Sequence, residues 1–177
     1  VDSYTGGNEF ENLVTTDTAK VTVNDTIDDT TLTLNDITVD EGTGTATISA
    51  TLTSAPTDAP LVVTLDNGAI VTFDVGSTTA TSTPFAIQGD DVYVDASQTT
   101  VAVESYIGGS EFENLITTDT SRVIVNDTID TVYVKLVNDS EVTEGDGNNL
   151  THKLMLVDAN GNPVSVPAGE DLVVTLT

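Results

Sequence analysis

Cysteine is absent, tryptophan is absent, there is one histidine, and 4 lysines and arginines stand against 29 aspartates and glutamates. Each shortage excludes a class of chemistry. Without cysteine there is no disulfide frame and no thiolate nucleophile. A lone His152 cannot build a Ser–His or Cys–His pair that repeats along the chain, and it makes zinc a poor fit. A net charge of −25 removes the basic footprint that nucleic acid and anionic bilayers require. Aromatic content of 5 % is too low for a sugar-stacking groove. No apolar run approaches the ~18 residues of a membrane-spanning helix. The chain is therefore expected to bind no nucleic acid, to insert in no membrane, to take no small-molecule substrate and to be no enzyme. Paired carboxylates abound, but acid–base catalysis needs a cleft that splits their pKa values. No leader peptide is evident and the chain opens on Val1, so a fragment of a longer protein is expected.

What is present is β-branched and acidic. Hydrophobic content of 38 % combined with high net charge approaches the composition of disordered chains. Yet Val, Ile and Thr alternate with polar residues at a period of two, which is a strand pattern. Both facts are reconciled if counter-ions belong to the folded state.

Internal repetition organises the chain. Residues 1–28, "VDSYTGGNEFENLVTTDTAKVTVNDTID", align without gaps on 103–130, "VESYIGGSEFENLITTDTSRVIVNDTID", with 21 of 28 positions identical. A looser echo links "NDITVDEGTG" at 35–44 with "NDSEVTEGDG" at 138–147, and "LVVTL" at 61–65 returns at 172–176. The later copy carries about eight extra residues around "DANGNPVSVPAGED". The expected organisation is the C-terminal part of a preceding module (1–28), a complete module (29–130) and the N-terminal part of a divergent following module (131–177).

Strand signals in the complete module fall at 31–39, 45–53, 61–65, 69–75, 79–87, 99–106 and 118–126. "DNG" at 66–68 marks a hairpin, "SAPTDAP" at 54–60 a loop, and "DANGN" at 158–162 another hairpin turn. Seven short antiparallel strands in about 102 residues fit tandem immunoglobulin-like β-sandwiches, an all-β class. A Calx-β-like or cadherin-like sandwich fits the same pattern. Tyr4, Tyr93 and Tyr106 lie on these strands or at their ends and are expected in the core or at corners.

Strand alternation then places the carboxylates. The first loop ("VDEGTG", with Asp40 and Glu41), the "QGDDVYVDASQ" loop (Asp90, Asp91, Asp95) and the exit "NDTID" (Asn126, Asp127, Asp130) should meet at one rim. Asp25 and Asp28 should close the preceding module in the same way. At the opposite rim, "GGNEFENL" and "GGSEFENL" present Glu9, Glu11, Glu111 and Glu113, with Phe10 or Phe112 turned inward and Asp28 and Asp29 nearby. Like charges a few Å apart cost about 1 kcal/mol each in bulk water and several times more near protein. A hard divalent cation reverses that sign, and irregular loops of carboxylate, Asn and carbonyl oxygens suit Ca2+ better than Mg2+. The competing reading is that Asp–Gly, Asn–Asp and Glu–Gly pairs are ordinary turn formers on a solubilising surface. Asn24 and Asn126 also match the N-glycosylation sequon, although a turn or ligand role suits a strand end better.

The phrases "VDEGTG", "ATLTSAP", "LVVTLDNG", "VTFDVGSTT", "IQGDDVYVD", "GGSEFENL" and "VNDTID" together resemble the extender repeats of giant RTX-type, type-I-secreted bacterial surface adhesins of the biofilm and ice-binding kind. The resemblance covers essentially the whole chain; "GDDVYVD", "FENL" and "NDTID" are its specific parts, and the eight-residue insertion departs from it. It implies tandem immunoglobulin-like domains on the bacterial cell surface, calcium in and between them, neighbouring repeats as partners, and a spacer role that projects a binding tip. A calcium-dependent module that itself binds a glycan or host surface is the alternative.

Overall fold

The computed structural model describes residues 1–137 and 152–175; "NDSEVTEGDG" and the last residue of the second "LVVTL" lie outside them. Strands cover 29–126 as β1 (Asp29–Leu34), β2 (Ile37–Asp40), β3 (Thr45–Ala46), β4 (Ser49–Leu52), β5 (Leu61–Leu65), β6 (Ile70–Phe73), β7 (Thr79–Thr81), β8 (Phe85–Ala86), β9 (Ser97–Ile107), β10 (Asn114–Ile116) and β11 (Thr120–Asn126). No helix occurs among the described residues. One sheet has the order β10-β1-β4-β7, the facing sheet β2-β11-β9-β5-β6, and β3 pairs with β8 at the seam. The fold is all-β and sandwich-like.

Period-two patterning supplies the core. Leu32 and Leu34 of β1, Ala50 and Leu52 of β4, Leu61, Val63 and Leu65 of β5, Val71 and Phe73 of β6, and Val123 and Val125 of β11 are all buried, while their neighbours in sequence face outward. Each such Leu, Val or Phe contributes roughly 1.5–3 kcal/mol through removal from water. The hairpin at Asp66–Gly68 closes as expected, with Gly68 at φ +82° and Leu65 and Ala69 hydrogen-bonded across it.

Three of the seven expected strands are each cut in two. The segment 31–39 breaks at Asn35–Asp36, poor strand formers whose polar groups find other partners. Asn35 Nδ2 donates to Ser49 Oγ (2.9 Å), Ser121 Oγ donates to the Asn35 carbonyl (2.7 Å), and the Arg122 amide donates to Asp36 Oδ1 (2.7 Å). The chain thereby leaves the β4 sheet and joins the β11 sheet. The segment 45–53 breaks before the fully buried Ile48, whose amide donates to Ser82 Oγ (2.9 Å). The segment 79–87 breaks at Thr83–Pro84, where proline has no amide to give the ladder.

The expectation of purely antiparallel pairing needs correction. β1 runs parallel to β10, and β2 runs parallel to β11 with Ile37 opposite Val123 and Asp40 opposite Asn126. The reason is geometric: in an up-and-down order the first and last of seven strands point the same way, and the sandwich closes by laying them together. The "FENL" segment, expected as loop, supplies β10.

Residues 1–28 carry no strand. After residue 130, β12 (Tyr133–Val137), β13 (Lys153–Val157) and β14 (Pro163–Val164) form an antiparallel sheet. Its hairpin is the "DANGN" turn, where Asp158 accepts from the Asn160 and Asn162 amides and from Asn162 Nδ2. Those donors, the Asn162 side chain foremost, hold the Asp158 carboxyl below its ordinary value. The tyrosines are not core residues. Tyr4 stands exposed in the strandless segment, Tyr106 is the penultimate residue of β9 beside the Gly108–Gly109 turn, and Tyr93 sits in the rim loop and donates from its hydroxyl to the Ser165 carbonyl (2.8 Å).

Candidate metal centre

The end of the sandwich where β2 and β11 finish gathers three loops. Glu41 follows β2, and its amide donates to the Asn126 carbonyl (3.0 Å), which continues the parallel ladder one step past the strand. Gly42 then turns at φ +73°, and a Cβ there would lie 2.6 Å from Asp90 Cβ, so only glycine lets the 88–95 loop approach. The Gly42 amide donates to the Gln88 carbonyl, and Thr43 Oγ1 donates to the Asp40 carbonyl.

Glu41 is the hub. Only 4 % of it is exposed, an unusual position for a carboxylate with no basic partner among the described ion pairs. Its Oε1 accepts from the Thr128 amide (3.0 Å) and from Thr128 Oγ1 (3.3 Å), and its Oε2 accepts from Gln88 Nε2 (3.4 Å). Thr128 Oγ1 is also 2.7 Å from Asp90 Oδ1. The Asp95 amide donates to Asp127 Oδ1 (3.2 Å), and Asn126 Nδ2 donates to Asp40 Oδ1 (3.1 Å). One carboxylate oxygen each from Glu41, Asp95 and Asp127 lies within 4.8 Å of the others. Asp91 caps its own loop by accepting the Tyr93 amide (2.7 Å).

Electrostatically this rim is one-sided. Asp130 shows the consequence: the neighbouring Asp90 charge, then some loss of hydration, a hydrogen bond to Asp90 and the charges of Asp127 and Asp91 push its carboxyl above the ordinary value. Arg122 is spent elsewhere, 3.6 Å from Asp36 on the flank of the module. Hydrogen bonds from Thr128, Gln88 and backbone amides soften the repulsion without supplying positive charge.

The opposite rim is smaller. The Asp28 amide donates to Glu113 Oε2 (2.5 Å), and Asn114 Nδ2 donates to Asp29 Oδ1 (2.7 Å). Glu111 was expected to face solvent, but its Oε1 is buried without a hydrogen-bond partner among the described residues, beside a cavity of about 260 Å³ that Asp28, Thr30, Phe112 and Glu113 also line. Phe112 is anchored against the core, and its position draws Glu111 partly under cover.

The structure thus brings Asp40, Glu41, Asp90, Asp91, Asp95, Asn126, Asp127 and Asp130 to one rim, and Asp28, Asp29, Glu111 and Glu113 to the other. Glu9, Glu11 and Asp25 stand exposed in the strandless 1–28 segment, where Asp25 accepts only the adjacent Thr26 amide (3.1 Å) in the described contacts. Sequence reasoning missed Thr128 and Gln88, which hold Glu41. Both sat inside quoted phrases, "NDTID" and "IQGDD", and a neutral donor next to an acidic run was the available signal.

Fold and rim together define an all-β sandwich module with one end where carboxylate oxygens gather closely enough that they could hold a metal ion. A family model described as the LapA domain matches residues 28–128, more than half of the chain, and the chain belongs to that family. The family is associated with large biofilm adhesins of the cell surface and is non-enzymatic in kind. No curated protein matches the chain. No helix among the described residues is long and apolar enough to cross a membrane.

Proposed function

We propose that this segment is a calcium-rigidified extender of a large bacterial adhesin, an extracellular spacer that projects a ligand-binding tip away from the cell. Its partners are the neighbouring repeats of the same chain, with 1–28 ending one module, 29–130 forming the next and 131–177 starting a third. The observation that carries the reading is the convergence of Glu41, Asp95 and Asp127 oxygens within 4.8 Å at the end where the chain leaves the module.

The donor set fits a hard cation. It is all oxygen, loop-borne and without nitrogen or sulfur, which suits calcium with its irregular cage of about six to eight oxygens. Glu41, Asp95 and Asp127 would hold the ion, with Asp40, Asp90, Asp91, Asn126 and Asp130 supplying further oxygens. Asp28, Asp29, Glu111 and Glu113 offer a second set, and Glu9, Glu11 and Asp25 occupy the equivalent places in the preceding repeat. The bound ion would supply the positive charge this rim lacks and would couple the joint to folding. The test is thermal unfolding and small-angle scattering in calcium, in magnesium and in chelator. Calcium should raise the melting temperature and lengthen the maximum dimension. Equal values in calcium and chelator would overturn the reading.

A further inference from the structure

The stretch that departs from the repeat lies beside the module before it. β12 and β13 pair with the register of β1 and β4 displaced by a constant 103 residues, Lys135 opposite Met155 as Leu32 is opposite Leu52. In the complete module the link after β4 folds back to the start of β1. The Thr53 amide donates to the Thr31 carbonyl (3.1 Å), and Ser54, Ala55 and Thr57 line one cavity with Asp28 and Thr30. The same register sets the link after β13 beside the start of β12, where the chain arrives from the rim of Glu41 and Thr128. Residues 158–171 form that link, fourteen residues where 55–60 supply six.

The surplus is ordered. The Asp158 amide donates to the Asn162 carbonyl (2.9 Å), and the Gly161 amide to the Asp158 carbonyl (3.0 Å). β14 then pairs back on β13, with Pro163 opposite Val157 and Val164 opposite Leu156. Ser165 follows directly. Beyond it, Pro167 has a ring-fixed φ and accepts the Glu170 amide (3.1 Å) in a further turn.

The other partner is equally well held. The Tyr93 amide donates to Asp91 Oδ1 (2.7 Å), and the Asp95 amide ties the same loop to Asp127 Oδ1 (3.2 Å). From this loop the Tyr93 hydroxyl donates to the Ser165 carbonyl at 2.8 Å, across 72 residues of sequence. Both groups are neutral. An acidic side chain offered to this rim would be repelled, whereas a main-chain carbonyl accepts the hydrogen bond without adding charge. With both sides ordered beforehand, little conformational freedom is lost on contact.

We infer that the surplus residues of the third module are a docking ledge for the module before it: the β13–β14 hairpin and Ser165 seat the Tyr93 loop and fix how the two units meet. The contact rests on the module boundaries of the proposed extender, and it needs no ion. The shorter link at 55–60 carries no strand and offers no counterpart of β14.

The absence of cysteine permits a single spin label. Ser165→Cys keeps the accepting carbonyl, and a nitroxide attached there should broaden the amide signals of residues 91–95 in dilute solution. The Asn114 amide, at the opposite rim, should stay sharp. Adding Tyr93→Ala should restore most of the lost intensity with the melting temperature unchanged. Broadening should be equal in calcium and in chelator. Signals of 91–95 that stay sharp overturn the inference, as does broadening that survives Tyr93→Ala or that appears only in calcium. The calcium reading itself is decided by the melting curves, so either can fail while the other stands.

Discussion

Residues 103–130 and 1–28 are nearly the same peptide in two environments, and their fates differ. Val123 and Val125 are 5 % and 6 % exposed in β11, while Val21 and Val23 are 84 % and 88 % exposed outside any strand. The local turn survives in both, with matching glycine dihedrals and the same Phe amide bond. A short loop closed by its own residues carries its conformation with it; a strand does not. The β-pattern states a willingness to pair, and pairing needs β2, β5 and β1 beside it.

The largest break in the comparison comes from charging the buried position. Val123→Asp should cost about 4 kcal/mol, because an unpaired carboxylate would enter the core, and should abolish cooperative unfolding. Val21→Asp in dilute solution should stay within about 0.5 kcal/mol of wild type in urea denaturation. If both substitutions cost the same, 1–28 is packed after all.

Glycine sharpens the contrast next. A Cβ on Gly108 would meet the Pro60 carbonyl oxygen at 2.5 Å, whereas nothing lies within 4 Å at Gly6. Gly108→Ala should cost about 3 kcal/mol from left-handed strain and that clash together, read as a lower melting temperature. Gly6→Ala keeps the left-handed strain at φ +90° but meets no clash, so it should lower the melting temperature less.

A third comparison concerns the aspartates of "NDTID". Under the proposed calcium reading, Asp127→Ala should remove a calcium-dependent stabilisation of about 2 kcal/mol at near-saturating calcium. Asp25→Ala should keep it. Calorimetric melts with and without calcium would show the difference, and equal losses would place the ion elsewhere.

The smallest effect is one of pH. Asp130 titrates above the ordinary 3.8 because Asp90 and its neighbours repel the charged form, so the folded state holds this proton more tightly than the unfolded chain does. In chelator, its contribution is present below the ordinary value and is lost as pH rises through the raised one. Asp158 works in the opposite sense: its contribution is present above the ordinary value and lost as pH falls through the lowered one. Asp130→Asn should flatten the first trend in denaturation series of the metal-free protein, modestly, because the group is exposed.

Much of the module was legible in advance. The strand at 61–65 was readable from its run of β-branched and apolar residues, and "DNG" placed the hairpin, since both signals are local. The joining of "VDEGTG", "QGDDVYVDASQ" and "NDTID" at one rim was readable because strand alternation dictates which loops share an end. The breaks at Asn35–Asp36, at Ile48 and at Pro84 were less so, because they express which sheet each half joins. The burial of Glu41 could not be read at all, since an acidic loop residue looks the same whether Thr128 and Gln88 cover it or water does.

By itself, the sequence determined an all-β sandwich, its repeat, its turns and the excess of carboxylates, because those follow from side-chain period, glycine dihedrals and composition. Only the tertiary structure decided that the first and last strands lie parallel, that one glutamate is buried among hydrogen-bond donors, and which of two matching peptides becomes a strand. The physical reason is common to all three: each depends on what a distant segment brings alongside.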